Sequence, residues 1–449
     1  MSTLKRIVFI VPDCGEGGLF QFYNQLIPEL AHRAEVHVIF ASPYHSPQAP
    51  SIAGVKCHFL PAEGAITASN QLAKGPLAIA PDIVRSLAVA HRAWKAALLL
   101  EPDCVEMCDW PLSFVPAVLD QSVPYIIQCH GSMGQIAEHD PQPGQGLAPS
   151  ILHLIEPQLI SAAHCVQTYS ESNAGFWANM ARRPVPVIRP AFALPTLPRG
   201  SQEIADSAAV LGRLQRWKGP DILCDALRLL GSRAPDVDWY GGVKPWGGIG
   251  LTADRFLAEG YPDIWAHKFH HHAAVPRHAV VGIQARALFN IVPSTWDVFN
   301  FTAVEAMAAG RPTIVSTGAG ASELIADGVN GFTFANQDPA DLAAAIDRVL
   351  SLSDQQRRDI GMAGRETVRT ELDPARIAEQ RLVAYEEAIH SFKGSPPRKP
   401  GHWITNLLAS PPPHLIDPSE LLAAFPMRIL GKHLGNRLAR KIGYAKGSK

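Results

Sequence analysis

The sequence predicts an α/β chain made of two doubly wound, parallel-sheet halves with a cleft between them. Three observations predict it. Short apolar runs alternate with helix-forming stretches along most of the chain, as βα units do. Residues 184–200 hold five prolines (Pro184, Pro186, Pro190, Pro195 and Pro198), a linker that divides the alternation in two. At 449 residues, with 47% hydrophobic and 18% charged side chains, the chain is globular and long enough for more than one core.

In the first half, Arg6–Val11, Glu35–Ala41, Val55–Leu60, Cys104–Met107, Tyr125–Gln128 and Cys165–Thr168 read as strands. The apolar stretch Ile83–Leu100 carries Arg85, His91, Arg92 and Lys95, so it reads as an amphipathic helix and not as a membrane span. Beyond the prolines, Ala208–Leu211, Val237–Tyr240, Ala287–Val292 and Thr313–Val315 begin a second set of strands. Asp373 caps one last helix, with Pro374 at its first position and Phe392 near its end. The expected boundaries are 1–195 for the first domain, 196–372 for the second, 373–392 for the closing helix and 393–449 for a tail.

Prolines across 395–413 make the start of that tail read as a semi-rigid spacer. Within 427–449, Leu430, Leu434, Leu438 and Ile442 recur every four residues among Arg428, Lys432, Arg437, Arg440 and Lys441. That is either a basic amphipathic helix in peripheral contact with a membrane or a solvated, self-packed helix. From Lys393 onward ten Lys/Arg face only Asp417 and Glu420, so the net charge of −1 divides into +8 for the tail and −9 for the body. An acidic body argues against a nucleic-acid partner. Seven cysteines without a C-x-x-C pair give neither a disulfide framework nor a zinc knuckle, and Pro12 and Asp13 follow the apolar Ile7–Val11 too soon for a secretory signal. A cytoplasmic protein is expected, peripheral at the inner face of the plasma membrane if the tail binds there.

The most informative stretch is 292–331. Phe289, Ile291 and Val292 read as a buried strand, Pro293 and Ser294 end it, and Thr302–Ala309 reads as a helix closed by Gly310. A helix N-terminus at the carboxyl end of a parallel strand favours phosphate. Asp297 falls in the loop before that helix and Glu305 in its first turn, placed for a sugar hydroxyl and a ribose. Thr302 and Glu305 also fit a capping box, in which Glu305 only holds the backbone.

This stretch resembles the glutamate-x7-glutamate region of family 4 glycosyltransferases, retaining enzymes of the GT-B fold, with Asp297 where the first glutamate usually stands. Leu211-Gly212-Arg213-Leu214-Gln215-Arg216-Trp217-Lys218-Gly219 is similar to the segment of that family whose arginine and lysine hold the donor diphosphate. Gly15-Glu16-Gly17-Gly18 and Gln128-Cys129-His130-Gly131 match further positions. The resemblance covers residues 6 to about 390. It implies two Rossmann-like domains and a closing helix that crosses back onto the first. It also implies transfer of a hexosyl group from a nucleotide diphosphate sugar to a hydroxyl acceptor, with no cofactor. The catalytic set it implies is His130, Arg213, Lys218 and Asp297. The donor set adds Gly17, Gly18, Val298, Phe299, Asn300 and Glu305, and Asp109 and Glu16 fall on the acceptor side.

Each assignment has a plainer counterpart. Gly17 and Gly18 also suit a ligand-free turn, a lone histidine is often structural, and Arg216 competes with Lys218. Val298 and Asn300 stand where the family carries small residues, so they are expected to narrow the donor end or alter its backbone contacts, and a non-catalytic sugar-nucleotide or glycan-binding protein is the alternative. A dinucleotide site is disfavoured because Phe20 replaces the third glycine of the fingerprint. No metal is expected: Asp236 and Asp238 open a strand, and His270, His271 and His272 point alternately along an extended chain. His270 falls where family loops border the nucleotide.

Overall fold

The computed structural model describes residues 4–12, 18–43, 52–61, 77, 80–141, 147–197, 204–247, 250–394, 398–408, 427, 431 and 435. Glu16, Gly17 and nearly all of 427–449 lie outside them. Two six-stranded parallel sheets form the frame. The first contains β1 (Arg6–Val11), β2 (Glu35–Phe40), β3 (Lys56–Phe59), β4 (Cys104–Cys108), β5 (Tyr125–Gln128) and β6 (Cys165–Gln167), in the order β3-β2-β1-β4-β5-β6. The second contains β7 (Ala208–Leu211), β8 (Val237–Tyr240), β9 (Phe269–His272), β10 (Asn290–Val292), β11 (Thr313–Ser316) and β12 (Phe332–Phe334), in the order β12-β11-β10-β7-β8-β9. Counted from its own first strand, each sheet has the same doubly wound order. Each therefore reverses winding between its first and fourth strands, where the strand-end loops separate and a crevice opens.

The first-half helices are α1 (Gly18–Ala31), α2 (Pro81–Leu98), α3 (Val115–Asp120), α4 (Met133–His139), α5 (Ala148–Ala162) and α6 (Glu171–Ala181). The second half adds α7 (Pro220–Leu230), α8 (Ala253–Gly260), α9 (Arg277–Arg286), α10 (Phe301–Ala308), α11 (Pro339–Leu350) and α12 (Asp354–Glu371), followed by α13 (Pro374–Gly394) and α14 (His402–Leu408). Asp373 accepts from Arg376 N at 2.9 Å, the expected cap of α13. One hydrophobic cluster joins Phe22 and Leu26 of α1 and Ile377 and Tyr385 of α13 to Val298, Ala303 and Met307 of the second half, so the domains share a core.

The closing helix crosses to the first sheet and is fixed there by a buried charge. Arg381 and Glu106 are 1% and 0% exposed, and the guanidinium donates to Glu106 and to Gln128 Oε1. Tyr385 donates to the same carboxylate at 2.5 Å. Burial pushes the Glu106 carboxyl up, and Arg381 and the Tyr385 hydroxyl pull it back. Three further bonds tie the domains together. Ser170 Oγ donates to Val298 O at 2.7 Å, and Glu323 accepts from the backbone N–H groups of Glu171 and Ser172 at 3.0 Å each, at the start of α6.

The spacer expected over 395–413 needs correction. Within it, α14 docks on the first domain, with Ile404, Leu407 and Leu408 in the same core as α2 and α5. An apolar helical turn among prolines found a groove, where composition alone read a strut. Arg381→Leu should lower stability by about 3–5 kcal/mol, because it strands Glu106 as an unpaired buried charge. Chemical denaturation should show that loss, and adding Glu106→Leu should return much of it.

Candidate active site

At the switch point of the second sheet, the loops after β7 and β10 are forced into contact. Gly219 holds a left-handed φ of +70° as the N-cap of α7, and a Cβ there would strike Pro293 O, so only glycine lets the two loops touch. Thr295 N donates to Trp217 O at 2.8 Å across the same seam. As a result Lys218 Nζ donates to Asp297 Oδ2 at 2.8 Å, with the two side chains 16% and 26% exposed. The K-G pair and the carboxylate, 79 residues apart, form one unit. Arg213 follows β7, where desolvation by its surroundings lowers its pKa against the pull of the Asp140 and Asp297 carboxylates.

Aromatic rings close the mouth. Lys218 Nζ lies 5.6 Å from the ring centre of Trp217, Trp217 stacks on Trp296 at 5.1 Å, and Trp296 stacks on His139 of the first domain at 4.5 Å and 8°. Gln215 Nε2 donates to Asp140 Oδ2 at 3.3 Å, again from one domain to the other.

The start of α10 differs from expectation. Its N-cap is Asn300, in a left-handed conformation at φ +80°, whose side chain accepts from Ala303 N at 3.1 Å and donates to Ser294 Oγ at 3.0 Å. Thr302 is therefore inside the helix, and the capping box with Glu305 does not form. Glu305 is in the second turn and pairs with Arg277 at 3.0 Å, with its side chain 14% exposed. Burial pushes its carboxyl up against the pull of Arg277. Val298, Phe299 and Asn300 do not narrow the cleft: at 4%, 3% and 5% exposed they face inward, and any contact with a donor is left to their backbone.

His130 follows β5 on a loop that opposes this site. Gly131 has φ +119°, and a Cβ there would lie 3.2 Å from the Trp296 ring and 3.6 Å from Val298 Cγ2, so the two domains meet at this point. The His130 ring is half-buried and packs among Phe22, Tyr23 and Tyr169, with ring centres 4.9, 5.4 and 4.9 Å away. The Tyr169 hydroxyl lies 2.8 Å from its ring nitrogens and the Tyr23 hydroxyl 3.4 Å from Nε2. Burial, reinforced by the charge of Arg381, holds its pKa well below the usual value, so at neutral pH it is an uncharged hydrogen-bonding ring.

Asp109 does not face an acceptor. It is fully buried, and its carboxylate accepts from His130 N at 2.8 Å and Gly131 N at 3.3 Å. Burial pushes its pKa up to about 7, against the pull of those bonds. Gly18 begins α1 at the head of the first sheet. The histidines and aspartates of the second sheet meet one another locally: His272 meets Asp238 at 2.6 Å, His270 meets Asp236 at 3.4 Å, and His271 turns to Gly241 O. Trp217 and Trp296 were within reach of sequence reasoning, each adjacent in sequence to a chosen residue. His139 and Tyr169 carry no local signal and enter only through tertiary contact.

Two doubly wound domains that face each other across such a seam, the second bearing paired cations and a carboxylate at its switch point, make up the GT-B architecture. Residues 206–352, most of the second domain, match the family model for glycosyl transferases group 1. The chain is 32% identical to a D-inositol 3-phosphate glycosyltransferase of Arthrobacter sp. (strain FB24) over 34% of this chain and 36% of that one. It is 26% identical to the protein of the same name from Stackebrandtia nassauensis over 87% of this chain and 91% of the relative. Against seven such relatives the matched stretch spans only 36–46% of their length. Among solved structures, sucrose-phosphate synthase from Thermosynechococcus elongatus superposes with a TM-score of 0.64 at 18% identity, covering 86% of this chain and all of that one. Anabaena HepE with UDP and glucose superposes at 0.62 and 18% identity, covering 85% and 99%.

Asp109 makes stability depend on pH. With its pKa raised from 3.8 to about 7, the folded state holds a proton that the unfolded chain gives up, so stability falls as pH rises through that window. Asp109→Asn removes this slope. Its stability relative to the parent should climb by roughly 3 kcal/mol between pH 4 and 7, on top of a constant loss from weakened hydrogen bonds. Denaturant midpoints across that range check it.

Proposed function

We propose that this protein is a retaining glycosyltransferase of family 4 type, moving a hexosyl group from a nucleotide diphosphate sugar to a hydroxyl acceptor. The observation that carries the reading is the Lys218–Asp297 pair at the second switch point, with Arg213 beside it and His130 on the opposing loop. Relatives named as glycosyltransferases and a fold neighbour crystallised with UDP-glucose support it.

The chemistry follows from charge. Without substrate, Asp297 neutralises one of two cations. A departing nucleoside diphosphate gains negative charge on its leaving oxygen, and Lys218 and Arg213 stabilise that charge more in the transition state than in the ground state. Asp297, oriented by Lys218, meets the transferred sugar, and the neutral His130 ring offers it a hydrogen bond. Glu305, already held by Arg277, receives the ribose diol. The acceptor hydroxyl enters from the first-domain side.

Slow hydrolysis and thermal stabilisation with UDP-, GDP- and ADP-sugars test the reading. Turnover with one donor supports it, and stabilisation without turnover would make the protein a sugar-nucleotide binder. Lys218→Ala should lower turnover by roughly tenfold or more, since a charge-assisted bond is worth about 1.5–3 kcal/mol. Full activity in both Lys218→Ala and Arg213→Ala overturns the diphosphate assignment. Because two side-chain cations supply the charge, activity should persist in EDTA, and a loss restored by manganese or magnesium would overturn that part.

A further inference from the structure

Two carboxylates of the first domain are buried and form no ion pair among the described residues. Asp109, just after β4, is 0% exposed and Glu156, on α5, is 2% exposed. Both are directed at one short loop, Cys129–Gly134. Asp109 takes the backbone N–H groups of His130 and Gly131. Glu156 takes Ser132 Oγ at 2.7 Å and Gly134 N at 3.1 and 3.2 Å. Gly134 has no Cβ, and one placed there would collide with the Glu156 carboxylate. Ser132 then caps α4, accepting from Gln135 N at 3.2 Å, and Gln135 Nε2 reaches Asn173 at 2.8 Å.

Hydrogen-bond acceptors alone do not call for this arrangement, since backbone carbonyls satisfy most buried N–H groups at far lower desolvation cost. A carboxylate does what a carbonyl does not. Its two oxygens hold two neighbouring donors at a fixed spacing, which a single carbonyl oxygen does not. The loop so held carries His130 and meets Trp296 and Val298, which flank Asp297.

We propose that Asp109 and Glu156 are positioning residues: two buried carboxylates that fix the backbone of 130–134 and so set the height of the His130 ring against the Asp297 loop of the other domain. The proposal rests on the reading of these loops as the two walls of a transfer site. A misplacement of about 1 Å at such a wall costs on the order of a hundredfold in rate.

The test uses the full chain in three variants. In Asp109→Asn the amide NH2 confronts one of the two loop N–H groups. In Glu156→Gln an oxygen remains for Gly134 N, and Glu156→Leu removes every acceptor. Turnover should fall at least about tenfold in Asp109→Asn and Glu156→Leu with donor KM within about twofold of the parent, and Glu156→Gln should keep most of it. Crystal structures of the variants should show the His130 ring displaced with the sheets unmoved. If Asp109→Asn does not fold, the Glu156 pair decides, because Gln and Leu differ there only in hydrogen bonding and shape. Parental turnover in Asp109→Asn or Glu156→Leu, or an unmoved His130, overturns the proposal. The crystallographic arm needs no activity, so a parent protein that transfers no sugar would defeat the reading of function and still leave the positioning decided.

Discussion

Parallel strands impose the constraint on which the rest of this structure depends. All their carboxyl ends lie along one edge, and only where winding reverses do neighbouring loops part to admit a ligand. Both sheets here share one strand order, so each presents a single opening: beside β1 and β4 in the first sheet, beside β7 and β10 in the second. The α/β frame places Arg213, Lys218 and Asp297 together because their loops have nowhere else to go. Gly219 and Pro293 then set the final spacing.

Buried carboxyl groups are used consistently in the first domain. Glu106 holds the closing helix, Asp109 the His130 loop, and Glu156 the same loop at its far end. None of the three reaches the cleft. Each converts a costly burial into a defined position for something else. Arg381 takes part twice, as the partner of Glu106 and as a charge that disfavours a protonated His130.

Much of the frame was legible in the sequence because strands buried on both faces read as nearly continuous apolar runs, and β1, β2, β5 and β7 fall within a residue of where those runs lie. β9 is different: three histidines hide an edge strand with one open face. The Lys218–Asp297 unit was legible as two motifs but not as an ion pair, since nothing local sets a contact over 79 residues. Errors arose where a short polar residue had two uses. Thr302 looked like a cap because Ser and Thr often are, whereas Asn300, equally suited, could also take the left-handed turn. Asp109 looked exposed because carboxylates usually are, and its backbone partners lie 21 and 22 residues away. The tail was misread in part because α14 is too brief to rise above its prolines.

The stacking of Trp296 has an optical consequence. Its indole stacks both on a ring of its own domain, Trp217, and on an imidazole from the opposite domain, His139. Any parting of the domains must break the second contact and spare the first. Domain separation is thus coupled to the surroundings of a single chromophore, and the emission of Trp296 is a built-in gauge of how far the cleft stands open.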